Sequence, residues 1–283
     1  VFDGRCSRRE KENMDADKLE KYFKVNERGK RLSILTLMNE WKAEILKCQP
    51  ILFHDDNKLY KAIDYFGMDG FFPNYFNQKT KVLFIGRESR YNSGNDSVLG
   101  TLDYFNNTTN INASTFFRRI LYITYGIRNN GKISFQDIPC ANEIVEEMVK
   151  TNNFGFALIN ISKYSNDRKD GAKADVKLIN RFLEDSKLDV RNFILEEIEL
   201  LEPDIIITAN LWDGKIENKY LSVIFPNILL KSSMDNKLNY YEMKHNNRLL
   251  KIVDLWHFSM PGSDDDYFYN PVIELLNKEC FFK

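Results

Sequence analysis

Three stretches of this chain put polar side chains at the point where a short apolar run stops. In KVLFIGRESR, residues 81–90, the run Val82–Ile85 halts at Gly86 and is followed by Arg87, Glu88, Ser89 and Arg90. In FALIN, residues 156–160, an apolar run closes on Asn160. In LWHFSMPG, residues 255–262, His257 and Ser259 follow a third run. A carboxylate such as Glu88 can polarise water or oppose a growing positive charge. An asparagine amide offers a donor and an acceptor, enough to read a planar heterocycle with two hydrogen bonds. A histidine can act as acid or base near neutral pH, or donate to an oxyanion. Gly86 allows a sharp turn and a close approach of a ligand to the backbone. Taken singly, each has a bland alternative: a solvated loop, a strand-capping asparagine, a histidine satisfied by a carbonyl.

The elements that must carry these residues are legible as strands and helices. Unbroken apolar runs bounded by turn residues, at 82–85, 155–161 and 204–209, read as strands buried on both faces. A weaker one lies at 228–230, and 240–244 and 249–256 flank an Asn246-Asn247 turn. Helical spacing is expected over 32–48, 59–66, 141–150, 174–184 and 189–201, and from a Ser114 cap to Gly126. Asp264 is placed to cap a last helix. Strands separated by helices predict an α/β fold, a three-layer α/β/α arrangement with a mostly parallel central sheet. Residues 81–283 are expected to form that domain, with 1–80 as a helical extension packed on it. The charged arm 1–30 reads as a solvated helix or a frayed segment. Loops at the carboxyl ends of such strands are where open α/β sheets build sites.

Composition bounds the rest. With 283 residues, 43% hydrophobic and 29% charged, the chain has material for one large core and a polar surface. A net charge of −1 gives no global footprint for nucleic acid or membrane. No apolar run approaches the ~18–20 residues of a membrane span, and the four cysteines form no C-x-x-C pair. A reducing, cytoplasmic setting with no disulfide, metal or cofactor is expected. The basic residues between Lys163 and Lys177 read equally as a phosphate-facing patch or a solvated loop. Nothing in the sequence sets an oligomeric state.

Together, GRES, ALIN and HFSMP resemble the three ordered motifs of the uracil-DNA glycosylase superfamily, and NFILEEIELLEPDIIITAN is similar to the helix-Pro-strand unit preceding the family's last motif. The resemblance covers roughly Lys81 to the C-terminus. It implies an N-glycosyl hydrolase acting on uracil or another damaged base in DNA, needing no cofactor. On that resemblance Glu88 positions the attacking water, Asn160 reads the flipped base, and His257 stabilises charge on the departing base. Gly86, Arg87, Ser89, Arg90 and Ser259 line the substrate, Ser259 at the DNA backbone. Tyr91, Tyr104 and Phe105 are the candidates for the aromatic that stacks the base. The chain departs from the family at Ser89, Arg90 and Phe258, and the acidic run Asp264–Asp266 would repel phosphates near the site. These departures bear on substrate, leaving a catalytically silent module that binds nucleotide, nucleic acid or protein as the alternative.

Overall fold

The computed structural model describes residues 17–48, 52–55, 58–90, 95–108, 110–151, 153–166, 174–212, 219–234 and 237–282. A hairpin of β1 (Leu52–Asp55) and β2 (Lys58–Lys61) stands apart from the main sheet. That sheet contains β3 (Gly70–Phe71), β4 (Val82–Arg90), β5 (Ala157–Asn166), β6 (Ile205–Ala209), β7 (Leu229–Met234), β8 (Leu238–His245) and β9 (Arg248–Leu255). Its strand order is β3-β5-β4-β6-β9-β8-β7. The central four, β5, β4, β6 and β9, run parallel; β3, β8 and β7 pair antiparallel to their neighbours. The sheet is therefore mixed, not mostly parallel as expected. The cause is local: β8 and β9 are joined by Asn246 and Asn247, both left-handed at φ 45° and 62°, and so short a turn enforces antiparallel pairing.

All five residues 82–86 of β4 and all five of β6 are buried. Successive strand residues point to opposite faces, so both faces of the sheet are covered. One layer holds α1 (Val25–Lys47), α5 (Val176–Ser186) and α6 (Phe193–Leu201). Trp41 of α1 stacks on Phe193 with ring centroids 5.3 Å apart and meets Phe182 of α5 at 5.2 Å. Its indole N–H donates to Ser186 at 3.0 Å, so the polar edge of the ring is not orphaned. The other layer holds α2 (Ser97–Asn107), α3 (Thr115–Arg128) and α4 (Ala141–Glu146). There Phe84 of β4 meets Phe258 at 5.6 Å, and Phe258 meets Phe116 of α3 at 5.8 Å. The short α7 (Lys219–Ile224) precedes β7, and α8 (Asn270–Lys278) ends the chain. Among the described residues no helix is long and apolar enough to cross a membrane.

Helix starts follow capping chemistry. Asp96 accepts from the backbone N–H groups of Val98 and Leu99, Asp175 from Leu178, and Asn192 from Leu195. Asp96 also pairs with Arg31, a fully buried residue of α1 whose other nitrogen donates to the Asp69 carbonyl at 2.6 Å. Two expectations fail locally. Leu59–Phe66 is not a helix but the end of β2 and a 3-10 turn, Ala62–Tyr65. Ser114 stands at the start of α3 but makes no side-chain cap, and the helix runs past Gly126 to Arg128.

Lys163 of β5 is wholly buried, which corrects its reading as a phosphate-facing or solvated residue; Arg168, Lys169 and Lys173 lie outside the described residues. Its Nζ donates to Asp69 at 2.7 Å and to Glu197 of α6 at 2.8 Å, and sits 5.4 Å from the Trp41 ring centroid. Burial works against the Lys163 charge, but Asp69 and Glu197 outweigh it and its pKa stands above the ordinary lysine value. Burial pushes Glu197 far above the usual carboxylate range. Lys163 is thus held between two carboxyl groups, of which Glu197 is driven toward its protonated form by burial. Truncating Lys163 to alanine strands the Asp69 carboxylate and is expected to cost about 3–5 kcal/mol in denaturant unfolding. Glu197→Gln keeps an acceptor for Lys163, and with Glu197 driven toward its protonated form it should cost under about 1 kcal/mol; a loss as large as that of Lys163→Ala would show that Glu197 is ionised.

Candidate functional site

The GRES segment is not the loop its polarity suggested. β4 continues through it to Arg90, and β5 continues beyond Asn160 to Asn166. The register sets Gly86 opposite Asn160, Glu88 opposite Ser162 and Arg90 opposite Asn166, with an irregularity between Glu88 and Arg90. The polar residues survive as strand because each strand supplies the other's backbone partners. β4 is also where the fold changes direction. Its chain leaves through α2, α3 and α4 to β5 on one side, then returns past it through α5 and α6 to β6. Connections that diverge in this way open a crevice at the strands' carboxyl ends. A cleft of about 920 Å³ lies there, walled by Glu88, Arg90, Asn160 and His257 with Phe116 and Tyr104 among its aromatics.

Gly86 is the floor beneath Asn160. A Cβ on residue 86 would lie 2.5 Å from the Asn160 Oδ1, so only glycine admits that amide over β4. The backbone N–H of Asn160 donates to Asp69 at 2.7 Å, and Asp69 is the carboxylate that Lys163 grips.

Glu88 is nearly sealed, with its side chain 3% exposed. Its Oε1 accepts from the Asn166 side chain at 2.8 Å and the Asp175 backbone N–H at 3.1 Å. Its Oε2 is buried with no hydrogen-bond partner among the described residues. Burial raises the pKa of Glu88 above the ordinary value, while Asn166, the Asp175 N–H and Arg90 pull it back. A buried carboxylate oxygen left without a partner costs free energy.

His257 follows β9 in a loop held from outside. The backbone N–H of Ser259 donates to His257 Nδ1 at 3.2 Å. In the neutral ring the proton therefore sits on Nε2, which is left to donate. Burial, and after it the positive charges of Arg87 and Arg90, lower the His257 pKa to about 4. Arg119, buried on α3, holds the loop: it donates to the carbonyls of Phe258 at 2.8 Å, Met260 at 2.7 Å and Gly262 at 2.7 Å. Its guanidinium also lies 3.7 Å from the Phe268 ring centroid. Asp264 does not cap the last helix; it pairs with Arg119 at 2.7 Å and Arg118 at 2.5 Å, so its charge is spent. Arg87 turns sideways to the Asn210 carbonyl after β6. Asp254, pushed up to about 6 by burial, accepts from Thr208 and from the N–H groups of Leu211 and Trp212 in that same loop.

Glu88, Asn160 and His257 thus share one cleft, together with Arg87, Ser89, Arg90 and Ser259. Phe105 does not reach it. The ring is 4% exposed and packs on Phe117 at 5.1 Å and Phe72 at 6.1 Å, while its neighbour Tyr104, 39% exposed, lines the cleft. Tyr91 lies outside the described residues. Sequence reasoning missed Asp69, Asn166 and Arg119. Only Arg119 leaves a signal, as a charge between Phe116, Phe117, Ile120 and Leu121 on a helix. The chain matches no family model, no curated protein and no solved structure.

Two outcomes test this geometry. Gly86→Ala should leave the protein folded but displace the Asn160 amide, weakening any ligand read by it at least tenfold in a binding titration. An unchanged affinity would remove Asn160 from the binding surface. In an NMR pH titration the His257 ring should stay neutral down to about pH 4, and Arg90→Ala should raise that midpoint by removing a like charge. A midpoint near 6.5 in the native protein would contradict the half-buried, arginine-flanked ring.

Proposed function

We propose that this cleft hydrolyses the N-glycosidic bond of uracil or another damaged base in DNA, on a fold akin to that of the uracil-DNA glycosylases. One observation carries the reading: Glu88 of β4, Asn160 of β5 and His257 after β9, far apart in sequence, wall the same cleft. When an N-glycosidic bond breaks, positive charge grows on the sugar and the bonding electron pair leaves with the base. Glu88 opposes the first charge and orients the water that attacks the anomeric carbon. The Nε2–H of His257 donates to the base oxygen on which the negative charge collects. A neutral histidine suits this role, because it donates throughout the neutral range without first losing a proton. The Asn160 amide pairs with the edge of the base, and aromatic walls such as Phe116 and Tyr104 offer it a surface to stack on. Water expelled on binding strengthens each of these interactions.

The competing reading is a silent binding module. It draws on Arg90, which brings a charge into the cleft where the family often carries Tyr or Gly, and on how completely Glu88 is enclosed. Incubation with single- and double-stranded DNA containing uracil, hypoxanthine or xanthine separates the two. The hydrolase reading expects alkali-labile abasic sites with at least one base; none on any of them would sink it. Glu88→Gln and His257→Ala should each lower kcat by roughly 10²–10³-fold, the cost of losing one such electrostatic group.

Glu88 must be ionised to work. Since its pKa is raised, kcat/KM should rise with pH along an acid limb lying above the ordinary glutamate range. Arg90→Ala removes a charge that favours ionisation, so the limb should move to higher pH. A limb that moves to lower pH, or does not move, would show that another group titrates.

A further inference from the structure

Most charges around the cleft are accounted for by the protein itself. Arg119 and Arg118 are spent on Asp264 and on loop carbonyls, and Arg87 on Asn210. Arg90 differs. Among the described residues its guanidinium makes no hydrogen bond, and its one ion pair, with Glu88 Oε1, spans 3.9 Å. The Arg90 side chain is 30% exposed, so it is only partly in water, and among the described residues no hydrogen-bond acceptor meets its guanidinium. The buried Ser89 Oγ and Glu88 Oε2 next to it in the chain likewise have no hydrogen-bond partner among the described residues. A partly desolvated guanidinium without an acceptor is costly. Its planar fork fits the paired oxygens of a phosphate or carboxylate.

We propose that Arg90 binds a phosphate ester carried by the sugar of the substrate. This rests on the glycosidase reading, which sets Glu88 against the sugar at the scissile carbon. A residue 3.9 Å from the Glu88 carboxylate reaches groups bonded to that sugar; the far edge of the base belongs to Asn160 and His257. A cation between the carboxylate and the incoming phosphate also offsets their mutual repulsion, which would otherwise exclude the substrate. The overall charge of −1 supplies no broad attraction for a polyanion, so the counter-charge for this phosphate is local to the cleft. The phosphate is a monoester in a free nucleotide and a diester in a strand, and both present the oxygens that the guanidinium needs.

Base-free probes test the proposal whichever base is cleaved. Calorimetric titrations compare 2-deoxyribose, 2-deoxyribose 5-phosphate and a trinucleotide whose central residue is a stable abasic analogue. At least one phosphorylated probe should bind at least tenfold more tightly than the bare sugar. That advantage should vanish in Arg90→Ala and be partly restored in Arg90→Lys, which keeps charge but loses the fork. Preference for the sugar phosphate identifies a free nucleotide as the source, and preference for the trinucleotide identifies a strand. Equal binding of phosphorylated and bare sugar, or full binding by an Arg90→Ala variant with an unchanged melting temperature, overturns the proposal. If phosphate binding depends on Arg90 while no abasic product forms from any DNA, the phosphate site stands and the glycosidase reading fails.

Discussion

The cleft depends on β4 and β5 staying paired after their apolar halves end. Past Gly86 β4 turns polar, while β5 beyond Asn160 still buries Ile161 and Tyr164, and the ladder continues to Arg90 and Asn166. Its backbone groups have no better partners, and breaking it would leave them unpaired beside the core. This continuity fixes where everything else points. Residues two apart share a face of a strand, so Glu88 follows Gly86 along the side on which the Asn160 amide lies. A slip of one residue would send Glu88 to the opposite layer. The missing side chain at Gly86 lets two strands at normal spacing present an amide and a carboxylate to one cavity.

Much of this was readable from pattern because it rests on local rules. The runs at 82–85, 157–161 and 205–209 are strands, and Asn246-Asn247 is the hairpin turn its composition suggests. The ends of these strands were not readable. Polarity marks exposure, and residues 87–90 are polar because a cleft faces them, although they remain hydrogen-bonded in the sheet. Lys163 misled for a related reason. A lysine among polar residues reads as solvated, whereas its partners Asp69 and Glu197 come from 94 and 34 positions away and no local window contains them. The choice between Tyr104 and Phe105 failed because adjacent helical residues point about 100° apart and spacing does not set the helix's rotation.

Electrostatically the cleft is uneven. Two arginines enter it with one carboxylate, and its histidine is kept uncharged by burial and by those same arginines. The arginines are not equivalent. Arg87 braces the loop after β6, which Asp254 holds from the other side, and its charge acts at a distance. Arg90 is left facing the cavity.

Arg119 gives the His257 loop an unusual property. A guanidinium stays protonated over the whole range in which proteins remain folded, and Arg118 and Arg119 outweigh the burial of Asp264 to hold that carboxyl below its usual range. The loop's fastenings are thus fixed charges and backbone carbonyls, none of which changes state on mild acidification. Glu88 has no such protection, since burial brings its protonation closer to neutrality. The His257 loop and the Glu88 carboxylate therefore respond to different parts of the pH scale, and an acidified molecule would keep that loop in place after Glu88 had lost its charge.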